Sequence, residues 1–574
     1  MIIGLDVGGT HTDAVLLGDR GLIREFKVRT AQEDLFQTVL TSLEKITGGI
    51  DPEKIRRAVL STTLTTNAIV QEKNQPVGMI VSAGPGIDPE LFRTNEHYFC
   101  VSGSVDHRGR EITGINREEI ISVAQHLKQE GIRTFGIVGK FSVRNPAHEL
   151  MIRDILQNIL GENAERIFMG HQISGNLDFP RRIATAYLNA AVFPVHKNFF
   201  SAVVKSLDRK GLKIPIHLLK ADGGTMNFAA SIDFPGQTLL SGPSASVMGA
   251  TVFASGTGES VVLDIGGTTT DIAILADRVP LLNPVGISLG NFNTLIRSLE
   301  TRSIGLGGDS HVRVRKGELL IGPDRVGPAM AYGGNTPTPT DALFVLGLME
   351  DGDQEAAARG IGSVAEVLGT GIPEAAEMIF DRACHIILSH TRAMIDAINR
   401  KPVYTIHELR EGLQVNPKKI FVLGGPAPYF AKRLQELSEF EVSVIPHWKV
   451  ANAIGAALAR TTCEVTLFAD TQQEIAAAPE ENFTQTVNRN FSKEMAAEKA
   501  FELLRIKAVR MGADAEDLDM DVTESQQFNM VRGFYTTGRN IRVKVQVRPG
   551  LIRGYERIVQ GLMNGEWEIR NGEF

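Results

Sequence analysis

The sequence predicts a layered α/β protein that builds one polar, glycine-rich turn twice and carries a small α+β appendage at its C-terminal end. Three observations predict it. "IIGLDVGGTHTDAVLL" (residues 2–17) and "VVLDIGGTTTDIAIL" (261–275) both read Asp, any residue, Gly, Gly, Thr, any residue, Thr, Asp, between β-branched runs. Around them, short β-like runs alternate with apolar positions at helical spacing, as a layered α/β chain requires. After Cys463 the texture changes to charged, acidic and alternating segments.

In order along the chain, strand, tight turn and strand lead into a helical pattern in "QEDLFQTVLTSLEKITG" that stops at a Gly pair. "RRAVLSTTLTTNAIVQEKNQPVGMIVSAG" reads as strand, polar turn, short helix and strand. "REEIISVAQHLKQEGIRTFGIVGKFS" is helix then strand, and "NPAHELMIRDILQNILG" another capped helix. A long helix after Pro180 is expected to break or kink at Pro194. "IPIHLLKADGG" is a strand ending in a glycine turn, and "TLLSGPSASVMGATVFA" a loop entering a small-residue helix. Residues 300–345 are loop-rich and 360–400 helical. "KKIFVLGGPAPYFAKRLQEL" is strand, Gly-Gly-Pro turn and helix, and "SVIPHWKVANAIGAALA" a strand with a small-residue helix. Beyond it, "EIAAAPEENFTQ" reads as a linker, "KEMAAEKAFELLRIKAVRMG" as a charged helix, and "MVRGFYTTGRNIRVKVQVRPG" as two strands.

Bulk properties narrow the function. A chain of 574 residues is too long for one core. Its net charge of −7 has both signs mixed, and no basic stripe carries interleaved aromatics, which argues against a nucleic-acid partner. The three cysteines, Cys100, Cys384 and Cys463, are far apart and read as reduced thiols. Met1 leads directly into a strand, and no apolar run approaches the roughly 18–20 residues that span a bilayer. A soluble, cytoplasmic protein without a membrane partner is expected. The acidic run "ADAEDLDMD" lacks EF-hand spacing and reads as a solvated loop. His148, Glu149 and His171 form no HExxH pattern, and structural or surface roles suit them.

The repeated turn carries the chemistry. As plain hairpin turns, the Gly-Gly pairs supply positive φ and a tight reversal. As a phosphate site, Gly8, Gly9, Gly266 and Gly267 let backbone N–H groups approach oxygens, and Thr10, Thr12, Thr268 and Thr270 add hydroxyls. Asp6 and Asp264, at the strand ends, are placed to hold a hydrated Mg²⁺, while Asp13 and Asp271 close the turns. Asp309 in "GLGGDS" and Asp341 in "PTPTDA" are candidate cleft carboxylates or turn caps, with Asp309 carried forward as a catalytic candidate. Thr62, Thr63, Thr65, Thr66 and Asn67 either cap a helix or face the cleft. His11 either touches a phosphate or is a turn-exposed ring.

The two turns resemble the phosphate-1 and phosphate-2 loops of the actin, sugar kinase and Hsp70 ATPase superfamily. "VLGGPAPYF", with Gly424 and Gly425, resembles its adenosine loop. This implies a two-lobed, ribonuclease H-like duplicated fold with ATP between the lobes. A narrower likeness rests on "GLDVGGTHTD", "TTNAIVQEKNQPVG", "SVRNPAHE", "ADGGTM", "LLSGPSASVMGA", "LIGPDRVGPAMAYGGNTPTPTDALFVLG" and "VANAIGAALA". Together they are similar to the hydantoinase A/5-oxoprolinase family. The resemblance implies an N-terminal lobe over 1–175, a hydantoinase A core over 176–462, and an uncovered appendage over 463–574. It also implies ATP and Mg²⁺, a cyclic amide substrate phosphorylated on its carbonyl oxygen, and a B-type partner subunit. A ketone carboxylase subunit, a non-catalytic ATP-binding regulator and a sugar kinase are the alternatives. His11 stands where the family carries an aromatic residue, "GGDS" stands where a further glycine is usual, and the "GPDRVGPAMAYGG" loop is short.

Overall fold

The computed structural model describes residues 1–9, 11–31, 34–71, 74–254, 258–400 and 414–564. Two mixed sheets share one plan. In the first, Ile2–Val7 pairs antiparallel with His11–Gly18, which pairs with Gly21–Arg29. On its other side Ile2–Val7 runs parallel to Arg57–Thr62, followed by Ile216–Leu219 and Thr225–Asn227. In the second, Glu259–Ile265 pairs antiparallel with Thr270–Ala276 and parallel with Lys419–Leu423, beside Glu441–Val444. Each sheet therefore has a glycine-turn hairpin whose first strand continues into parallel neighbours. The parallel strands Ile2–Val7, Arg57–Thr62, Ile216–Leu219, Glu259–Ile265 and Lys419–Leu423 are apolar, largely buried runs, as two-sided burial demands, whereas the edge strand Glu441–Val444 is half-buried or exposed.

A third sheet, all parallel, is formed by Arg166–Met169, Thr134–Gly139, Val77–Ser82 and Tyr98–Cys100. The helices Arg117–Gln129 and Ala147–Leu160 arise where the periodicity places them. Asn116 caps the first through the N–H groups of Glu118 and Glu119.

Between the two mixed sheets lie the helices Ser241–Phe253 and Ala451–Leu458. Their small residues let backbones touch. A Cβ on Gly455 would lie 2.1 Å from the Gly249 nitrogen, and one on Gly4 would lie 1.9 Å from the Ala453 oxygen. One continuous core joins Ile2 and Val59 of the first sheet, both helices, and Val262 and Ala273 of the second.

Two expectations change. Pro194 sits inside an unbroken helix, Phe179–Arg209, whose middle is buried on every side from Arg182 to Pro194. Dense packing there outweighs the lost N–H donor. The segment expected to be a linker supplies strands Ile475–Ala478 and Phe483–Thr486 of a five-stranded antiparallel sheet with Glu464–Asp470, Tyr535–Val547 and Met520–Arg532. Its alanines, Ala476 and Ala478, are buried, so small side chains fill this core although their intrinsic strand preference is weak. Helix Lys493–Arg510 covers the sheet. The Phe528–Arg532 end of the hairpin runs past its neighbouring strands and leaves Phe534 and Tyr535 exposed.

Two buried imidazoles make stability pH-dependent. His196 shares a 2.8 Å hydrogen bond with Ser231, and His217 lies in the Ile216–Leu219 strand. Burial pushes both down to about 3, with Arg57 adding to the effect at His217. The unfolded chain therefore binds more protons between about pH 3 and 6.5, and stability falls as pH drops through that window. The slope is up to about 1.4 kcal/mol per pH unit for each histidine. Urea midpoints of wild type and the His196→Gln, His217→Gln pair should diverge in slope below pH ~6.5, the variant being flatter. Parallel slopes would dismiss the assignment.

Candidate functional site

The site begins with strand register. Asp6 stands opposite Asp13 and Asp264 opposite Asp271, the first of each pair two positions before the turn's glycines and the second directly after its last threonine. The turns close identically: Gly8 N–H donates to His11 O at 3.0 Å, and Gly266 N–H to Thr269 O at 2.9 Å. None of the four turn glycines lies in the left-handed region, so positive φ is not their reason. Clearance is. A Cβ on Gly267 would lie 2.9 Å from Asp309 Oδ2 and one on Gly8 3.0 Å from His11 O, while one on Gly9 would meet nothing within 4 Å.

Two further loops close on the second turn. Gly308 and Asp309 donate their N–H groups to Gly266 O at 2.9 Å and Gly267 O at 2.7 Å. Gly424 does need its positive φ of 97°, and a Cβ there would lie 2.5 Å from Asp264 Oδ1. Gly425 faces open space. Asp309 is paired with Arg325 at 2.9 Å.

The hairpins meet through a residue the turn motif does not contain. Asn452 Nδ2 donates to Asp6 Oδ2 at 3.3 Å and to Asp264 Oδ2 at 3.4 Å. Its amide joins carboxylates from the two sheets. Ser246 donates its hydroxyl to Asp264, and Lys27 Nζ pairs with Asp13 at 2.8 Å. Asn452 is the single polar side chain in "VANAIGAALA", a signal present in the sequence but unused.

Electrostatically the site is overloaded with carboxylates. Burial pushes Asp6 up to about 7, and burial with the Asp264 charge does the same for Asp271. Burial also raises Asp264, raises Asp13 against the pull of Lys27, and raises Asp309 against Arg325. Desolvated acids of one sign lower their free energy by protonation or by taking up a cation. Among the described residues no three His, Cys, Asp or Glu side chains form a complete ligand shell. Two carboxylates with a hydrogen-bonding amide between them fit instead an ion that keeps most of its water.

Other candidates resolve differently. Thr12 and Thr270 are fully buried: Thr12 Oγ1 is bonded to Thr30 Oγ1 at 2.9 Å, and Thr270 donates to Leu306 O at 2.7 Å. The one O–H proton of Thr270 thus goes to a carbonyl within the fold, and Thr12 is likewise engaged in the interior. Thr268 and His11 are exposed; Thr10 lies outside the described residues. Asp341 is a cap. It accepts from Met330 N, Ala331 N, Thr338 N and Thr338 Oγ1 at 2.8–3.1 Å. Asp341→Ala strands those buried donors, and thermal denaturation should show a loss of about 3 kcal/mol. An unchanged melting temperature would remove that role. Thr66 accepts from Leu240 N and Thr65 meets Thr238, so the "TTLTTN" turn fastens the 238–241 segment. Glu149 and His171 form a buried pair, Oε2 to Nδ1 2.5 Å, in keeping with a structural role.

Residues 2–160 match the model of the hydantoinase/oxoprolinase N-terminal region, and 182–465 match that of hydantoinase/oxoprolinase. Caprolactamase subunit alpha of Pseudomonas jessenii is 23% identical over 79% of this chain and 69% of its own length. The acetophenone carboxylase gamma subunit of Aromatoleum aromaticum is 26% identical over 60% of this chain, which spans about half of that subunit, 53%. The crystal structure of the ATP-dependent caprolactamase from P. jessenii superimposes with a TM-score of 0.72, covering 96% of this chain and 88% of that one at 18% identity. The nucleotide-free structure of acetone carboxylase gives 0.69 with the same coverage and identity. The fold, including most of the C-terminal sheet and helix, is shared with both.

Proposed function

Because this chain belongs to the hydantoinase/oxoprolinase family, we propose that it is the ATP-using component of a cyclic amide hydrolase. In this reading it transfers the γ-phosphoryl group of ATP to the amide carbonyl oxygen before the ring is opened. The two hairpin sheets are read as duplicated lobes of the actin, sugar kinase and Hsp70 ATPase fold, with lobes divided near residue 175 and an appendage from 463. One observation carries the reading: Asp6 and Asp264, from matched turns far apart in the chain, share the Asn452 amide.

Phosphoryl transfer asks a protein chiefly for alignment and charge neutralisation. The turn glycines and Gly425 leave backbone open toward phosphates, and the 424–426 loop stands beside the second turn for the adenosine end. Asp6 and Asp264 are the residues that would hold Mg²⁺, which when bound neutralises phosphate charge. Asp309 is proposed to face the transferred group. The amide oxygen attacks the γ-phosphorus, the bond to the β-phosphate oxygen breaks, and ADP leaves. Water then adds to the carbon of the phosphorylated imidate, the C–N bond breaks as the nitrogen takes a proton, and a second water releases inorganic phosphate to leave an amine and a carboxylate. Relatives named as an alpha and a gamma subunit support a multi-subunit assembly, and a B-type subunit is the proposed partner for ring opening. Substrate-stimulated ADP formation across a panel of lactams and hydantoins tests the reading. Asn452→Leu should weaken Mg-ATP binding by about tenfold, the worth of a charge-assisted hydrogen bond; unaltered affinity in calorimetry would unseat Asn452.

The acetophenone carboxylase likeness favours one second reading, the ATP subunit of a ketone carboxylase. ADP formation that requires a ketone with bicarbonate, and ignores cyclic amides, would select it. Saturable ATP binding without turnover under either set would select a regulatory role.

A further inference from the structure

A cavity of about 50 Å³ lies where the C-terminal sheet meets the rest of the chain, walled in part by Lys220, Asp222, Gln237, Arg297, Glu464 and Lys507. Most of its charged groups are already engaged. Lys220 Nζ donates to Thr462 O at 2.8 Å and to Asp222 at 3.2 Å. Asp222 accepts from Thr462 Oγ1 at 2.8 Å and Gly224 N at 3.0 Å. Lys507 pairs with Glu481 at 2.7 Å and donates to Glu464 O at 3.0 Å. Glu464 pairs with Lys544 at 2.9 Å.

Arg297 differs. Its Nε is 3.5 Å from Asp222 and its Nη1 3.9 Å from Glu464, so the two acids fix the guanidinium in place without hydrogen-bonding it. Nε, Nη1 and Nη2 are all buried, and none has a hydrogen-bond partner. Gln237 Oε1, on the same wall, is buried and unpartnered too. The guanidinium carries five N–H donors in a planar fork, and burying those donors without hydrogen-bond acceptors is costly even where the charge itself has acidic neighbours. The fork matches two coplanar oxygens. The amide oxygen matches a donor beside them. The space admits about three or four water-sized groups, which limits the occupant to roughly three to five heavy atoms.

We propose that this cavity binds a small planar oxyanion that carries its own O–H or N–H donor, bicarbonate or a two-carbon hydroxy or amino acid. Arg297 takes two oxygens, and Gln237 accepts from the donor. Three cations, Lys220, Arg297 and Lys507, and three carboxyls, Asp222, Glu464 and Glu480, share the lining, and of these acids Asp222 and Glu464 are already engaged. The site lies at the edge of the sheet where Asp6 ends its strand, because Ile216–Leu219, which leads to Asp222, runs parallel with Arg57–Thr62 and Ile2–Val7.

The test is calorimetric titration of the full chain, without nucleotide, with sodium bicarbonate, glycolate and formate against chloride at equal ionic strength. Bicarbonate or glycolate should bind saturably, formate at least ~10-fold more weakly for want of the donor contact, and chloride not at all. Arg297→Lys should weaken the tighter ligand at least ~10-fold by replacing a fork with a point charge. Gln237→Leu should reduce it to formate's affinity while leaving formate unchanged, and it stands as the second variant should Arg297→Lys misfold. No saturable heat from the folded wild type, or equal affinity in Arg297→Lys, overturns the site. Equal binding of formate and bicarbonate by wild type overturns the Gln237 contact. With no nucleotide present, the result is independent of the Mg-ATP reading.

Discussion

The Asp6→Asn, Asp264→Asn double variant should lose Mg-ATP binding by at least ~100-fold and substrate-stimulated ADP formation with it, the scale seen when a preorganised electrostatic contact is removed. It should nonetheless fold, with a melting temperature no lower than wild type. Both carboxyls are held in a buried, acid-rich setting that raises them, Asp6 to about 7. An acid raised in the folded state favours its protonated form there, so its contribution to stability declines as pH climbs from about 4 through 7. Asparagine carries no charge to desolvate and can still meet Asn452 and Ser246. The expected signature is therefore opposite in sign: function lost, stability held or gained, the gain larger at alkaline pH. Calorimetry and thermal melts on the same preparation measure both. Retained Mg-ATP affinity in a folded double variant would sink the two-turn site.

The second large effect concerns packing. Gly455→Ala should destabilise the protein by about 3 kcal/mol or more, beyond the usual range for added methyl groups in a core. Its Cβ has backbone on every near side, with Gly249 N at 2.1 Å, Met248 C at 2.6 Å and Gly249 Cα at 2.7 Å. Backbone cannot swing aside as a flexible side chain can. The two inter-sheet helices must separate, and Asn452 rides on one of them while Ser246 rides on the other. Mg-ATP affinity should therefore drop alongside the urea midpoint. A midpoint within ~0.5 kcal/mol of wild type would show that the helices can part cheaply. As a control, Gly131→Ala, in a turn with open space but φ of 71°, should cost about 1 kcal/mol through backbone strain alone.

How far these features were legible depended on the distance over which they are decided. The paired aspartates were legible because hairpin register and motif spacing are local, and both turns repeat them. The fate of Thr12 was available but overlooked. Strand neighbours face opposite sides, so a turn that points Asp13 toward Asp6 sends Thr12 the other way, onto Thr30. Asn452 was not legible as a partner: it reaches Asp6 across 446 residues, and only the packed helix makes that contact. The strand Ile475–Ala478 was hidden by composition, since alanine signals neither strand nor core strongly. Pro194 does not end the helix for the opposite reason, a strong local breaking signal overruled by burial on all faces. The stranded nitrogens of Arg297 depend on three segments meeting, and no spacing rule announces them.

The close approach of strand Ile2–Val7 to helix Ala451–Leu458 also sets a timetable for biosynthesis. The backbone that shields Gly4 is made some 450 residues after the strand itself. At about 5–20 residues per second, that is a wait of roughly 20–90 s. Through that interval the apolar strand lacks the helix that covers it in the folded protein.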